Sequence, residues 1–231
     1  MRLDKFLCEN GFGTRSQVKL LVRQGRVCLN GAVCRTADCK LDENRDVVTV
    51  DGKELCYSKY VYYMLHKPAG CVSATKDNRD KTVMDYLKKE DYRDDLFPVG
   101  RLDKDTEGLL LLTNDGNLAH RLLSPRKHVP KTYYVKLKKS LEKEDILHLE
   151  EGVDIGEEKK TLPAKVQMKG ETEILLTISE GKFHQVKRML HAVGNEVIYL
   201  KRLSMGTLTL DEQLKTGEYR ALTGEEIEKL C

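Results

Sequence analysis

The sequence predicts an α+β protein built in two parts, residues 1–58 and 59–231, and three observations carry that prediction. Up to Gly25, apolar residues recur at i, i+3 and i+4, the spacing of helix faces. An Asn-Gly pair between two short β-prone runs follows directly. From Tyr60 onward, short alternating or wholly apolar runs bounded by turn residues outnumber the helix patterns. At 231 residues and 40% hydrophobic content, the chain can form one large domain or two small ones and bury a core.

In the first part, Leu3, Phe6 and Leu7 define one helix face, and Gly11 ends that helix. Thr14 followed by Gln17 is a capping box opening a second helix, whose Val18, Leu21 and Val22 repeat the spacing until Gly25. Val27, Leu29 and Val33 flank Asn30-Gly31, the dipeptide favoured in two-residue hairpin turns. Six basic residues (Arg2, Lys5, Arg15, Lys19, Arg23 and Arg26) stand against two acidic ones between Met1 and Arg26. Helical spacing sets Arg15, Lys19, Arg23 and Arg26 along one side, which suits a phosphate-binding face but also the solvated side of an amphipathic helix. Lys53 to Tyr60 reads as a linker.

In the second part, Tyr60 to Leu65 alternates as a strand and runs into the turn Lys67-Pro68-Ala69-Gly70. Thr82 to Leu87 reads as a short helix and Asp91 to Pro98 as an acidic loop. Leu109 to Leu112, bounded by turn residues including Asn114-Asp115-Gly116, suits a fully buried strand. Arg101 and Asp103 therefore sit on a loop rooted in a buried element, where Asp103 is a candidate catalytic carboxylate or simply a turn former. Leu118, Leu122 and Leu123 mark a helix that stops before Pro125. Between His120 and Lys139 lie seven lysines and arginines, Lys131 among them, and no acid. Tyr133 and Tyr134 interrupt that run, a composition suited to holding phosphates by charge and bases by stacking. Tyr133, Val135 and Leu137 also alternate as one strand face, so one tyrosine can belong to the core. In the third cluster, Val186, Met189, Leu190 and Val193 have helix spacing with Gly194 as the cap, leaving His184, Lys187, Arg188 and His191 on the other faces. A carboxylate working beside a polyanion needs such a cation to stay ionised.

A third of the residues are charged, yet the net charge is only +3, so a nucleic-acid surface must come from local clustering. No apolar stretch approaches the ~18 residues of a membrane span, and the chain begins with Arg2, Asp4 and Lys5 instead of an apolar leader, so a cytoplasmic protein is expected. The seven cysteines include no Cys-x-x-Cys pair; Cys28, Cys34 and Cys39 cluster most closely but lack histidines at zinc spacing, and read as reduced packing residues. No hydrolase triad, Gly-rich phosphate loop or metal-ligand motif is present, and no metal is expected.

The run Gly100-Arg101-Leu102-Asp103, with Thr106-Glu107-Gly108 and Leu109 to Gly116 after it, resembles the signature of the pseudouridine synthases that modify ribosomal RNA. Lys67-Pro68-Ala69-Gly70, Lys131-Thr132-Tyr133 and Gln185-Val186-Lys187 resemble that family's further motifs, with His66 where Asn is usual. Arg2 to about Val50 is similar to the S4 RNA-binding module, through Arg2-Leu3-Asp4-Lys5 and Arg15-Ser16. The resemblance implies an S4-like α/β domain followed by a catalytic domain on a mixed, mainly antiparallel sheet, with RNA across a central cleft. It further implies isomerisation of uridine to pseudouridine, Asp103 initiating glycosidic cleavage by attack on ribose, attack on the base, or proton removal. Tyr133 would position the base and take up a proton, and Lys187 would pair with Asp103. Arg2, Lys5, Arg15, Lys19, Arg23, Arg26, Arg101, Lys131, His184 and Arg188 would contact RNA. No redox change or group transfer occurs, so no cofactor is implied. The His184 to Met189 form of the third motif resembles the small-subunit 16S rRNA enzymes, the pseudouridine-516 class. The implied partner is 16S rRNA in a partly assembled particle, met by a monomer. The alternatives are a 23S rRNA enzyme of the same chemistry and a non-catalytic S4-type assembly factor.

Overall fold

A computed structural model describes residues 1–42, 45–55 and 59–230. Two compact units divide the chain, residues 1–60 together with 87–95, and residues 61–86 together with those from 96 onward. The boundary expected after residue 58 falls at residues 56–58, outside the described residues.

The first unit opens with α1 (Leu3–Glu9) and α2 (Arg15–Arg23). The Thr14 hydroxyl accepts from the Gln17 amide, and the Gln17 side chain accepts from the Thr14 amide at 2.7 Å, so the capping box closes as the sequence predicts. β1 (Val27–Leu29) and β2 (Ala32–Val33) are joined by Asn30-Gly31 with φ of 52° and 81°, the left-handed pair of a two-residue turn. β3 (Val48–Val50) and β4 (Lys53–Leu55) complete a four-stranded antiparallel sheet in the order β2-β1-β3-β4. Lys53–Leu55, expected in a linker, is thus a paired strand; Asp51-Gly52, again with φ of 52° and 78°, makes the turn that returns it. Leu3, Phe6, Leu7, Val18, Val22, Val27 and Val48 form the core. Cys34 and Cys39 are free thiols 3.2 Å apart, packed at its edge.

The second unit is organised on one large sheet. Its strands are β5 (Tyr62–Lys67), β6 (Phe97–Val99), β7 (Glu107–Thr113), β8 (Lys131–Leu137), β9 (Lys165–Met168), β10 (Glu173–Ile178), β11 (Val197–Met205), β12 (Leu208–Thr209) and β13 (Tyr219–Ala221). The main order is β13-β5-β7-β11-β8-β10-β9, with β12 beside β11 and β6 beside β7. Every pairing is antiparallel except β7 with β11, giving the mixed, mainly antiparallel sheet that the resemblance implied. Leu109 to Leu112 are wholly buried in β7, each 0% exposed, so burial on both faces explains the unbroken apolar run. The expected helix at 82–87 is a single 3-10 turn, Val83–Tyr86, and the end of the expected acidic loop is β6.

Helices α3 (Gly116–Leu123), α4 (Lys143–Glu151), α5 (Gln185–Ala192) and α6 (Gly224–Leu230) complete the unit. Asp115 caps α3 by accepting from the Asn117 and Leu118 amides, both at 3.0 Å. Val186, Met189 and Leu190 of α5 pack with Tyr133, Val135 and Leu102 in one core cluster. Gly108 sits where β7 meets β11, with φ of 106°; a Cβ there would lie 2.6 Å from the Arg202 backbone nitrogen. A glycine is required by this approach of two backbones.

Candidate active site

Asp103 lies on the turn between β6 and β7, closed by a hydrogen bond from the Thr106 amide to its carbonyl at 3.1 Å. Four anchors fix this loop. Lys67, at the end of β5 and 0% exposed, donates from its ammonium to the carbonyls of Pro68 (3.0 Å), Asp103 (3.0 Å), Lys104 (3.4 Å) and Thr106 (2.9 Å). The Gly70 amide donates to the Lys104 carbonyl at 2.7 Å. Ser73 both accepts from the Leu102 amide at 3.0 Å and donates to its carbonyl at 2.8 Å, standing in for a strand partner. Arg202, 1% exposed, donates to the carbonyls of Gly100 (2.6 Å) and Leu109 (2.8 Å). Burial pushes the Lys67 ammonium below its ordinary pKa, against the raising effect of nearby negative charge. The predicted loop on a buried strand is therefore held largely by its own carbonyls, and two internal cations hold them.

The side chain of Asp103 remains 26% exposed and meets a lysine of α5 and the histidine at its entry. Lys187 stands 3.2 Å from one carboxylate oxygen, and His184 Nε2 stands 3.5 Å from the other. Lys187 also donates to Asp105 at 2.6 Å, the shorter of its two contacts. Burial alone would raise the Asp105 carboxyl, but the hydrogen bond and charge of Lys187 outweigh it and hold the group below the usual carboxylate range. Burial likewise works against the Lys187 ammonium, and its bonds to Asp105 and Asp103 raise it nevertheless. The expected Asp103–Lys187 pair is thus one arm of an Asp103–Lys187–Asp105 cluster.

Tyr133 is 7% exposed in β8 and packs in the cluster that contains Leu102, the neighbour of Asp103. Its hydroxyl makes no hydrogen bond among the described residues and is not sealed in, so it reaches solvent. Tyr134 points to the opposite face, edge-on to Tyr199 with ring centroids 6.2 Å apart. Of the two tyrosines, the one in register with the motif shares a core with the loop.

The expected RNA contacts divide. In the first unit Arg15, Lys19 and Arg23 are exposed, and among the described residues none has a salt bridge. Arg2 is bidentate to buried Asp4, Arg26 to Asp51, and Lys5 lies 3.6 Å from Glu9. In the second unit Arg101 is exposed. Lys131 is not a surface cation: it is 7% exposed and its ammonium donates to the Val129 carbonyl at 3.0 Å. Burial, then the charge of Arg202, lowers its pKa. The alternation of Tyr133, Val135 and Leu137 extends back to residue 131, which is the signal that places it inward. Arg188 is engaged by Glu157 at 2.8 Å, the Phe183 carbonyl at 3.1 Å and the Ile155 carbonyl, so it holds a loop together. Lys67, Ser73, Asp105 and Arg202 were not singled out as site residues, although Lys67 lay in a recognised motif as part of a turn and Asp105 lay within the run Gly100 to Gly116. Among the described residues no group of three or more His, Cys, Asp or Glu is arranged to hold a metal ion.

Comparison with known proteins gives two family matches along the chain. Residues 61–192 match the RNA pseudouridylate synthase family, and residues 1–47 match the S4 domain. An uncharacterized RNA pseudouridine synthase of Bacillus subtilis is 54% identical over 100% of this chain and 98% of its own. The ribosomal small subunit pseudouridine synthase A of Haemophilus influenzae is 42% identical over 100% of this chain and 99% of its own. A crystal structure of a pseudouridylate synthase superposes with a TM-score of 0.71 at 40% identity, covering 100% of both chains.

Proposed function

The chain belongs to the RNA pseudouridylate synthase family, and from that premise we propose that it isomerises one uridine of 16S rRNA, the pseudouridine-516 class, with Asp103 as the catalytic aspartate. It is an rRNA pseudouridine synthase carrying an S4 domain, an isomerase acting on RNA. The observation that carries the residue assignment is the partly exposed Asp103 carboxylate on an immobilised loop, with Lys187 3.2 Å away.

In the reaction the bond between ribose C1′ and uracil N1 breaks and C1′ bonds to C5. The proton leaves C5, N1 gains one, and the composition of the RNA is unchanged. The base must first leave its stack to reach the Asp103 carboxylate. Asp103 opens the glycosidic bond, in keeping with the covalent chemistry of carboxylates. Lys187, 3.2 Å away, orients it and offsets its charge near phosphates. Tyr133, which shares a core cluster with Leu102 of the loop, lies against the detached uracil and takes part in removing the C5 proton. Arg101 and His184 contact the RNA around the site, and Arg15, Lys19 and Arg23 grip it through the S4 face.

The 16S target rests on likeness to the small-subunit enzymes, and the substrate is 16S rRNA in a partly assembled particle, met by a monomer in the cytoplasm. No helix among the described residues is long and apolar enough to cross a membrane. The test is pseudouridine mapping of 16S and 23S rRNA, naked and in partial particles, after incubation with wild type and with Asp103→Asn. One new site in 16S rRNA that requires Asp103 is the expected result. A 23S site transfers the same chemistry to the large subunit; tight binding with no modified site makes the chain an assembly factor.

A further inference from the structure

Among the described residues Phe183 is the most solvent-exposed of the large hydrophobic side chains, at 74%. Its position is built. The Lys182 amide donates to the Gln185 side chain at 2.9 Å, the Gln185 amide to the Lys182 carbonyl at 3.2 Å, and the Gln185 side chain to Glu180 at 2.8 Å. Arg188 holds the Phe183 carbonyl itself. His184 follows with φ of 49°, a left-handed conformation that a side chain adopts at a cost the surroundings must meet. That conformation lays the imidazole parallel to the Phe183 ring, with centroids 3.8 Å apart and planes 18° from parallel. The other end of the imidazole is 3.5 Å from Asp103. The two rings therefore form a short pile with the carboxylate close to the imidazole Nε2 and the Phe183 ring largely turned to water.

The outer face of an apolar ring held rigidly in solvent gains nothing in the free protein. Its gain comes when a flat partner covers it. The neighbouring charge selects the partner: the Lys187 ammonium and the exposed Arg101 guanidinium favour an anionic chain that carries flat groups. Removing a base from an RNA stack leaves its neighbour without a partner on one side. We propose that Phe183 is the stacking platform for the unpaired base next to the target uridine, continuing through the His184 ring the stack that the flipped uridine vacates. The inference rests on the pseudouridine synthase reading and adds a subsite to it.

The chain contains no tryptophan, so Phe183→Trp places a single fluorescent ring at this position. Its emission should be quenched when the protein is titrated with a 16S rRNA transcript, filter retention being followed in parallel, and should be unaffected by inorganic polyphosphate, which satisfies the cations but offers no base. Phe183→Ala should lower kcat/KM for pseudouridine formation about 5- to 150-fold, the equivalent of one stacked base, and Phe183→Tyr should restore it. RNA retained with unchanged emission, no RNA retained, equal quenching by polyphosphate, or wild-type kcat/KM in Phe183→Ala each overturns the platform. Absence of pseudouridine with the wild-type protein while RNA quenches position 183 would instead remove the isomerase reading and leave the stacking contact in place.

Discussion

Replacing Lys67 by methionine tests whether the carbonyl clamp sets the geometry of the loop that carries Asp103. Methionine retains most of the stem volume and removes the ammonium. The Asp103 and Lys104 carbonyls keep the amides of Thr106 and Gly70 as donors, whereas the ammonium is the main donor to Pro68 and Thr106. The buried Thr106 carbonyl and the half-buried Pro68 carbonyl thus lose their principal partner, at about 1–3 kcal/mol each. Part of that is returned, because burial already works against the charge of Lys67, as the direction of its pKa shows. The net loss is about 2–4 kcal/mol, which for a chain of this length lowers Tm by roughly 4–15 °C. Freed carbonyls turn toward other donors and carry the turn with them; a displacement of about 1 Å at Asp103 costs on the order of 100-fold in turnover. Thermal unfolding by circular dichroism and single-turnover pseudouridine formation, measured well below the variant's Tm, read the two effects. A variant that unfolds earlier but turns over at the wild-type rate when folded would refute the coupling of clamp to site, and an unchanged Tm would refute the clamp itself.

Three further outcomes follow from other parts of the structure. Gly108→Ala forces a Cβ into the Arg202 backbone across the parallel pair, so it should destabilise the fold by about 3 kcal/mol or more, whereas Gly116→Ala, with open space around it, should be tolerated; urea midpoints compare the two. The Lys187–Asp105 contact involves one lowered carboxyl and one raised ammonium. Its stabilisation should therefore be complete between pH 3.8 and 10.5, fading as pH falls below 3.8 through the Asp105 value or rises past 10.5 through the Lys187 value. Because the Asp105 side chain is 72% exposed, the effect is below about 1 kcal/mol; a difference between wild type and Asp105→Asn in urea that changes between pH 5 and 9 would contradict the assignment. Arg15→Ala with Lys19→Ala should weaken RNA binding and reduce the slope of log K against log salt by roughly 1.5, and an unchanged slope would remove this face from RNA recognition.

The elements legible from sequence are those whose signal is local. The Thr14 box, the Asn30-Gly31 turn, the four-leucine strand and the α5 spacing each lie within a few residues, and each occurs where the pattern sets it. β11 was not assigned, because its two-residue alternation is broken by register shifts between Val197 and Tyr199 and between Arg202 and Ser204. The carbonyl clamp was hidden for a different reason. Its acceptors are backbone atoms, which carry no residue identity, so nothing near Lys67 or Arg202 marks them as holding residues 100–106. Lys131 and Arg188 were read by charge, but register carries one inward and a neighbouring loop occupies the other. Asp105 was overlooked because an aspartate in a turn needs no further explanation until a lysine 82 residues away is seen to reach it.

That separation also sets a clock. At a synthesis rate of about 5–20 residues per second, both carboxylates leave the ribosome roughly 4–16 s before the lysine that unites them. During this interval β7 lacks β11, the strand it pairs with in parallel, so its four leucines await the far end of the chain. The small N-terminal core, in contrast, draws on residues no later than Leu55 and is already synthesised. A growing chain can thus acquire its hold on RNA well before it can alter any base, and reactivity is deferred until synthesis is nearly done.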